Sequence, residues 1–324
     1  MSSPSTYRKG AMVCSAGLLV AALAPLLAND RPLVARVEGK LCLPALASYG
    51  GPASIFRCRR AADIDWRRGR AEGGRQILLD PPIHHGPLST DLESVFRPPS
   101  REHPMGTDSL GRDVAARLVH GFPVAVLVGG LATGLALVLG LAFGAAAGSG
   151  GRWADLGLCR VIDLVACFPT LILALALVAA VDRPGLGTLV GAIALTRWTG
   201  IARFFRGEVL RQRALAYCDA ARAAGARKPY LLARHILPNA LPPILVTAAF
   251  SASSAILLES GMSFLGLGVS PPTPSWGAIL AEAQKQVQPA WWLILFPSLA
   301  LFFTVLGCNL LAEGHRDATD PHIL

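Results

Sequence analysis

The chain has 324 residues, 52% of them hydrophobic and only 16% charged, with a formal net charge of +9. A soluble globular chain carries about 25% charged residues, so the deficit argues against a soluble fold. The positive excess lies between long charge-free windows, the habit of cytoplasmic loops in a multi-span membrane protein, so nucleic-acid binding is set aside.

A hydrocarbon core of ~30 Å requires about 20 apolar residues as helix. Six windows reach or approach that length: 11–28, 122–147, 164–181, 186–205, 241–265 and 290–311. The first is free of charge and follows Arg8 and Lys9, with small residues at Ala22 and Ala24. It reads as a membrane anchor or as a signal peptide. Its length, and Pro25 directly after the cleavage position, favour the anchor. The second repeats Gly at four-residue spacing (Gly130 and Gly134, then Gly140, Gly144 and Gly148), which lets helices approach closely inside a bundle. The fourth is the weakest span because it contains Arg197 and Arg203. Charges at membrane depth are functional candidates by default, which singles out Arg197 and, in the fifth window, Glu259. The alternative is that Arg197 snorkels inward and Glu259 serves a contact between helices.

Short loops set the orientation. Arg8 and Lys9 precede the first span, Arg152 and Arg160 lie between the second and third, and 206–234 is rich in Arg. The opposite side has Arg183 and Lys285 in its short turns. Both termini are therefore expected in the cytoplasm, and 29–120 outside. That outer segment is too long for a structureless connection and is expected to form a small cap. Cys42 and Cys58 lie in it and could pair outside the membrane. Nothing in the sequence fixes their separation, so unpaired thiols are the preferred reading. The other five cysteines read as small packing residues. The expected architecture is an all-α integral membrane protein: a tail and first span over 1–28, an extracytoplasmic segment over 29–120, and a five-span core over 121–324.

The segment 206–243 is longer than a helix connection needs. Gly225 suits the residue just past a helix end, and Pro229 the first turn of the next helix. Pro238 is expected to stop that second helix. The result is a helix, a sharp bend and a short helix with a basic face. A basic hairpin lying on anionic lipid is the other reading.

Several chemistries lack a signature. None of Lys9, Lys40, Lys228 and Lys285 precedes Ser or Thr, so there is no phosphate-binding Gly-x-x-x-x-Gly-Lys-Ser/Thr loop. Any ATP hydrolysis belongs to another chain, and this one reads as a transport subunit, not an enzyme. No His-Glu-x-x-His, paired Cys-x-x-Cys or Gly-x-Ser-x-Gly occurs, so no cofactor or metal is expected and a membrane hydrolase has no support. The pair His84-His85 reads as solvated surface. A secondary transporter would usually show charged coupling sites in several spans and an internal repeat, and neither is visible.

Asp219-Ala220-Ala221, with Arg222, then Gly225 six residues after Asp219 and Leu237-Pro238, resembles the "EAA" loop of permeases in binding-protein-dependent ABC importers. Asp219 stands where that family has Glu, and His235 where it usually has an apolar residue. The run from Arg234 to Ala240 resembles the peptide-importer branch. So do His103-Pro104-Met105-Gly106-Thr107-Asp108 before the second span and Phe264-Leu265-Gly266-Leu267-Gly268 before the last outer loop. The resemblance covers about 102–321, and residues 28–34 are similar to oligopeptide permeases that also admit microcin C. It implies a coupling helix that contacts an ATPase subunit. It also implies a second permease subunit, two ATPase subunits, an extracytoplasmic binding protein and a peptide substrate, in the bacterial inner membrane. A nickel chelate or another small solute is the alternative cargo within the family.

Overall fold

The computed structural model describes residues 4–37, 40–47, 66, 75–284 and 290–319. Helix α1 (Pro4–Leu27) is followed by a small sheet, β1 (Val34–Val37), β2 (Lys40–Cys42) and β3 (Arg75–Leu79), with the short helix α2 (Pro44–Ala47) after β2. Then come α3 (Val114–Ser149), α4 (Arg152–Ala166), α5 (Thr170–Ala179), α6 (Leu186–Arg213), α7 (Ala216–Ala223) and α8 (Lys228–Leu231). A single π-turn (Leu232–Ile236) joins α8 to α9 (Leu237–Phe264), and α10 (Trp276–Gln284) and α11 (Trp292–Thr319) complete the order.

Among the described residues, four helical stretches are long and apolar enough to cross a membrane: Tyr7–Leu27, Val114–Ser149, Lys228–Phe264 and Trp292–Asp317. A fifth is reached if α4 and α5 count as one span, but they meet at 84°. The window 164–181 is therefore not one helix. The chain breaks at Cys167-Phe168-Pro169, because Pro169 cannot continue the α4 ladder, and α5 restarts after it. Helix α6 has the length, with 28 residues, but its second half carries Arg203, Arg206, Glu208, Arg211 and Arg213. The protein is thus a mostly helical, multi-pass membrane protein, and the expectation of an all-α chain is corrected by the sheet.

The chain divides into two compact units, and α1, α3 and α11 contribute to both. One unit holds Met1–Ser15, Leu127–Ser270 and Leu301–Leu324. Its interior is built on the close approach of α3 to α6. A Cβ at Gly140 would lie 2.6 Å from Ile201 Cβ, one at Gly144 2.6 Å from the Ala202 carbonyl, and one at Gly148 2.8 Å from Val209 Cβ. Three of the expected packing glycines therefore do what their spacing implies. Gly130 and Gly134, on the same helix, meet nothing within 4 Å. Ala136, Ile162, Trp198 and Ile201 form one buried cluster of this unit.

The other unit holds Ala16–Val126 and Pro271–Ala300. Its sheet has the order β2-β1-β3, all antiparallel, with Ala35 opposite Cys42 and Ile77. Ala35, Cys42 and Trp66 are buried together there. Cys42 is disulfide-bonded, which corrects the expectation of an unpaired thiol; Cys58 lies outside the described residues. The remaining five cysteines are free. In the same unit, Asp108 is a fully buried hub. It accepts from the backbone of Leu110 (2.8 Å) and Arg112 (3.0 Å), from Arg112 Nε (2.7 Å) and from Arg117 Nη1. Glu282 of α10 completes the cluster, accepting from Arg112 and Arg117 at 2.8 Å. The indoles of Trp276 and Trp292 donate to the carbonyls of Leu118 and Thr107, both at 3.0 Å. The pair His84-His85 is not simply solvated: His84 is exposed, but the His85 ring is half-buried and stacks on His103.

Candidate functional site

The segment between α6 and α9 folds into a hairpin of helices. Helix α7 ends where Ala224 caps it and Gly225 takes φ +85°. Gly225 N–H donates to the Arg222 carbonyl (2.9 Å), and Ala226 N–H to the Ala221 carbonyl (3.0 Å). That pair of bonds is a Schellman motif, which satisfies the last carbonyls of a helix and turns the chain sharply. Pro229 sits in the first turn of α8, where its missing N–H costs nothing.

Pro238 does not stop the helix, contrary to expectation. It offers no N–H to the Arg234 carbonyl, and a regular turn would drive its ring into that carbonyl. The chain widens instead. Leu237 N–H reaches back to the Leu232 carbonyl, and the Asn239 side chain donates to the His235 carbonyl at 2.6 Å. The widened turn lets one helix continue from Lys228 to Phe264.

The hairpin is anchored by its inner face. Cys218, Leu231 and Ile236 are buried with Phe205 and Val209 of α6 and Ala240 and Ile244 of α9, and Ala221 and Leu237 pack at the edge. A polar chain ties α7 to α6. The Tyr217 hydroxyl donates to Gln212 Oε1 (2.6 Å), Gln212 Nε2 donates to Glu208 Oε1 (2.8 Å), and Arg211 holds both oxygens of Glu208. Burial pushes the Tyr217 phenol up, with the Cys218 thiol adding to it, so the hydroxyl stays a donor. Burial would raise the Glu208 carboxyl, but the bonds from Arg211 and Gln212 win and hold it below the usual range.

The outer face is small and basic. Ala220, Ala223, Ala224 and Gly225 are exposed, as are Arg227 and Lys228. Asp219 and Arg222 pair with each other at 2.6 Å, and Arg222 also donates to the Arg213 carbonyl. An open groove of about 600 Å³ is lined by Ala221, Ala224, Gly225, Ala226, Arg227, Tyr230 and His235. The His235 ring meets Tyr230 edge-on at 5.7 Å and lies 6.5 Å from Tyr217. Neither Tyr217 nor Tyr230 belongs to a motif in the sequence, and His235 stands out there only for replacing an apolar residue. Their signal was position, since they flank the turn at Gly225.

The charges at membrane depth have different surroundings. Glu259 is 1% exposed and accepts from Ser263 Oγ (2.7 Å) and Ser260 Oγ (3.2 Å) of its own helix. Arg197 is half-buried, and its Nε is enclosed with no hydrogen-bond partner among the described residues.

Residues 121–324 match the family described as binding-protein-dependent transport system inner membrane component. The chain belongs to that family. This transport component is 39% identical over 232 residues to a dipeptide transport system permease of Alkalihalophilus pseudofirmus, covering 72% of this chain and 76% of that protein. It is 40% identical over 219 residues to a di/tripeptide transport system permease of Pseudomonas aeruginosa, covering 68% and 72%. A glutathione transport system permease of Pectobacterium atrosepticum is 38% identical over 233 residues, covering 72% and 77%.

Proposed function

We propose that this chain is a permease subunit of an ATP-driven importer in the bacterial inner membrane, and that its cargo is a peptide delivered by an extracytoplasmic binding protein. A second permease completes the pathway, and two ATPase subunits act from the cytoplasm. The observation that carries this reading is the hairpin at Gly225. A small, basic, exposed face is backed by a buried core that joins it to α6 and α9. A push on Asp219, Ala220, Ala221 or Arg222 then reaches the spans through packed side chains and not through a loose loop. ATP binding must favour one state of the assembly over another, and this contact is where that preference enters.

The same reading places both termini inside, takes 1–28 as tail and first span and 29–120 as the outer segment, and counts six spans by adding residues 186–205 of α6 and the bent α4–α5 pair to the four apolar stretches. The family match over 121–324 supports a core beginning near 121. Arg197 is the pathway charge in this scheme, while Glu259, held by two serines, anchors its helix. The test is uptake into proteoliposomes holding the copurified assembly. Uptake of a labelled dipeptide that needs both ATP and the binding protein is expected. Uptake of a nickel chelate with no uptake of peptide would move the cargo to the alternative.

A further inference from the structure

Three side chains outside the hairpin converge at the start of α3. Potential ligand atoms of His85, His103 and Asp113 all lie within 4.8 Å of one another. His103 and Asp113 are buried, and His85 is half-buried. The arrangement has an order. Asp113 Oδ1 accepts the Ala116 N–H at 2.7 Å, at the first turn of α3. Asp113 Oδ2 lies 2.9 Å from His103 Nδ1. A carboxylate with both oxygens accepting calls for the proton on His103 Nδ1, so in the neutral ring Nε2 is the nitrogen that offers a lone pair. The His103 ring is further fixed by its backbone, whose N–H donates to Ser100 Oγ (3.1 Å) and whose carbonyl accepts from Ser100 (2.8 Å) and Gly106 (2.9 Å). His85 stacks on that ring, with centroids 4.5 Å apart and planes at 29°.

We propose that this cluster is a binding site for one divalent transition-metal ion of the zinc class, with His103 and His85 as ligands and Asp113 as the carboxylate that orients His103. A buried carboxylate on the far nitrogen of a ligating histidine is the usual support of a zinc-bound imidazole. Neutral imidazoles select zinc, copper or nickel over magnesium and calcium. Two nitrogens on one zinc ion stand about 3.3 Å apart at tetrahedral angles, so the pair closes by a rotation of the less buried His85 ring. The site also has a mechanical meaning. His85 lies two residues after Ile83, whose N–H donates to the Leu27 carbonyl (3.0 Å) and whose carbonyl accepts from Asn29 (3.2 Å). A bound ion would therefore clip the end of α1 to the start of α3 within one unit.

The test uses the full chain, purified without a histidine tag, and Zn²⁺ as the probe. Competition with a chromophoric chelator is expected to give one ion per chain with micromolar-class affinity, and zinc is expected to raise the melting temperature. His85→Ala should weaken binding at least about tenfold and abolish that rise. His84→Ala should alter neither. His85→Cys should retain binding and give a thiolate-to-metal absorption band with Co²⁺. The proposal is overturned if the wild-type chain leaves the chelator loaded, if His85→Ala binds as tightly as wild type, or if His84→Ala is the variant that loses the ion.

Discussion

The backbone N–H of Ala226 donates to the carbonyl of Ala221 at 3.0 Å, across a residue held at φ +85°. A Cβ at Gly225 would meet nothing within 4 Å, so a substitution there is opposed by backbone conformation alone. A left-handed L-residue costs roughly 1–2 kcal/mol, more when β-branched and less for Asn. Coupling should therefore fall in the order Gly, Asn, Ala, Val at position 225. Gly225→Val is expected to reach the membrane at normal levels but lose most stimulation of ATP hydrolysis by loaded binding protein. Full stimulation with full ATPase copurification in that variant would remove the hairpin from the mechanism.

Glu208 makes the stability of the α6–α7 junction depend on pH. Its carboxyl titrates lower in the folded chain than the ordinary 4.5. The folded state thus holds fewer protons in that range, and stability from this group is present above about pH 4.5 and lost as pH falls through the lower folded value. Melting temperature should be flat from neutral pH to about 5 and then decline, and Glu208→Gln should flatten part of that decline. An unchanged acid profile in Glu208→Gln would show that the Arg211 and Gln212 bonds contribute nothing.

Two glycines of α3 should respond oppositely to the same change. Gly144→Val forces a side chain against the Ala202 carbonyl, 2.6 Å from the nearest Cβ position, and should cut membrane yield severely. Gly130→Ala enters open space and should leave yield unchanged or raise it by lowering the helix cost of glycine, about 1 kcal/mol. Expression with a fluorescent fusion and size-exclusion profiling separates the two; equal yields would contradict the α3–α6 packing.

Asp108→Ala strips a fully buried carboxylate from Arg112 and Arg117. Removing one partner of a buried pair typically costs about 3–5 kcal/mol, because the remaining charge stays desolvated. Glu282→Ala should cost less, since Glu282 is partly exposed and Asp108 still faces both arginines. Thermal unfolding followed by thiol labelling reads both, and a milder effect for Asp108→Ala than for Glu282→Ala would reverse the hierarchy.

Arg197→Gln should lower transport several-fold at normal protein level, whereas Glu259→Gln should lower protein yield first, because two serines lose a charged acceptor inside the chain. Transport per assembled complex distinguishes the two. Wild-type transport by Arg197→Gln would end its place in the pathway.

Local chemistry was readable wherever one residue type decides the backbone. Gly225 and Pro229 stand where their φ preferences put them, and the Gly140–Gly148 spacing marked the face that meets α6. What failed needed information from a distance. Pro238 looks like a stop until neighbouring turns are seen to widen around it. The strand Val34–Val37 has too few residues to show alternation, and its partner β3 lies about forty residues on. His85 and His103 are separated by a proline- and charge-rich stretch with no periodicity to bring them together. The roles of Tyr217 and Tyr230 likewise depended on a shared neighbour, His235, that only the bend supplies.

The widened turn at Leu232–Ile236 has a consequence for phase. A π-turn is an α-helix with one residue inserted, so every position after Ile236 is rotated by about 100° from where an unbroken count from Lys228 would put it. The faces of α8 and α9 therefore cannot be assigned on one helical wheel. Closing this turn to a regular α-helix with no residue removed would turn Ala240 and Ile244 out of the core they share with Phe205, whereas deleting one residue within 232–236 would keep them on that face. The hairpin and the span beyond it are geared to each other through that one additional residue.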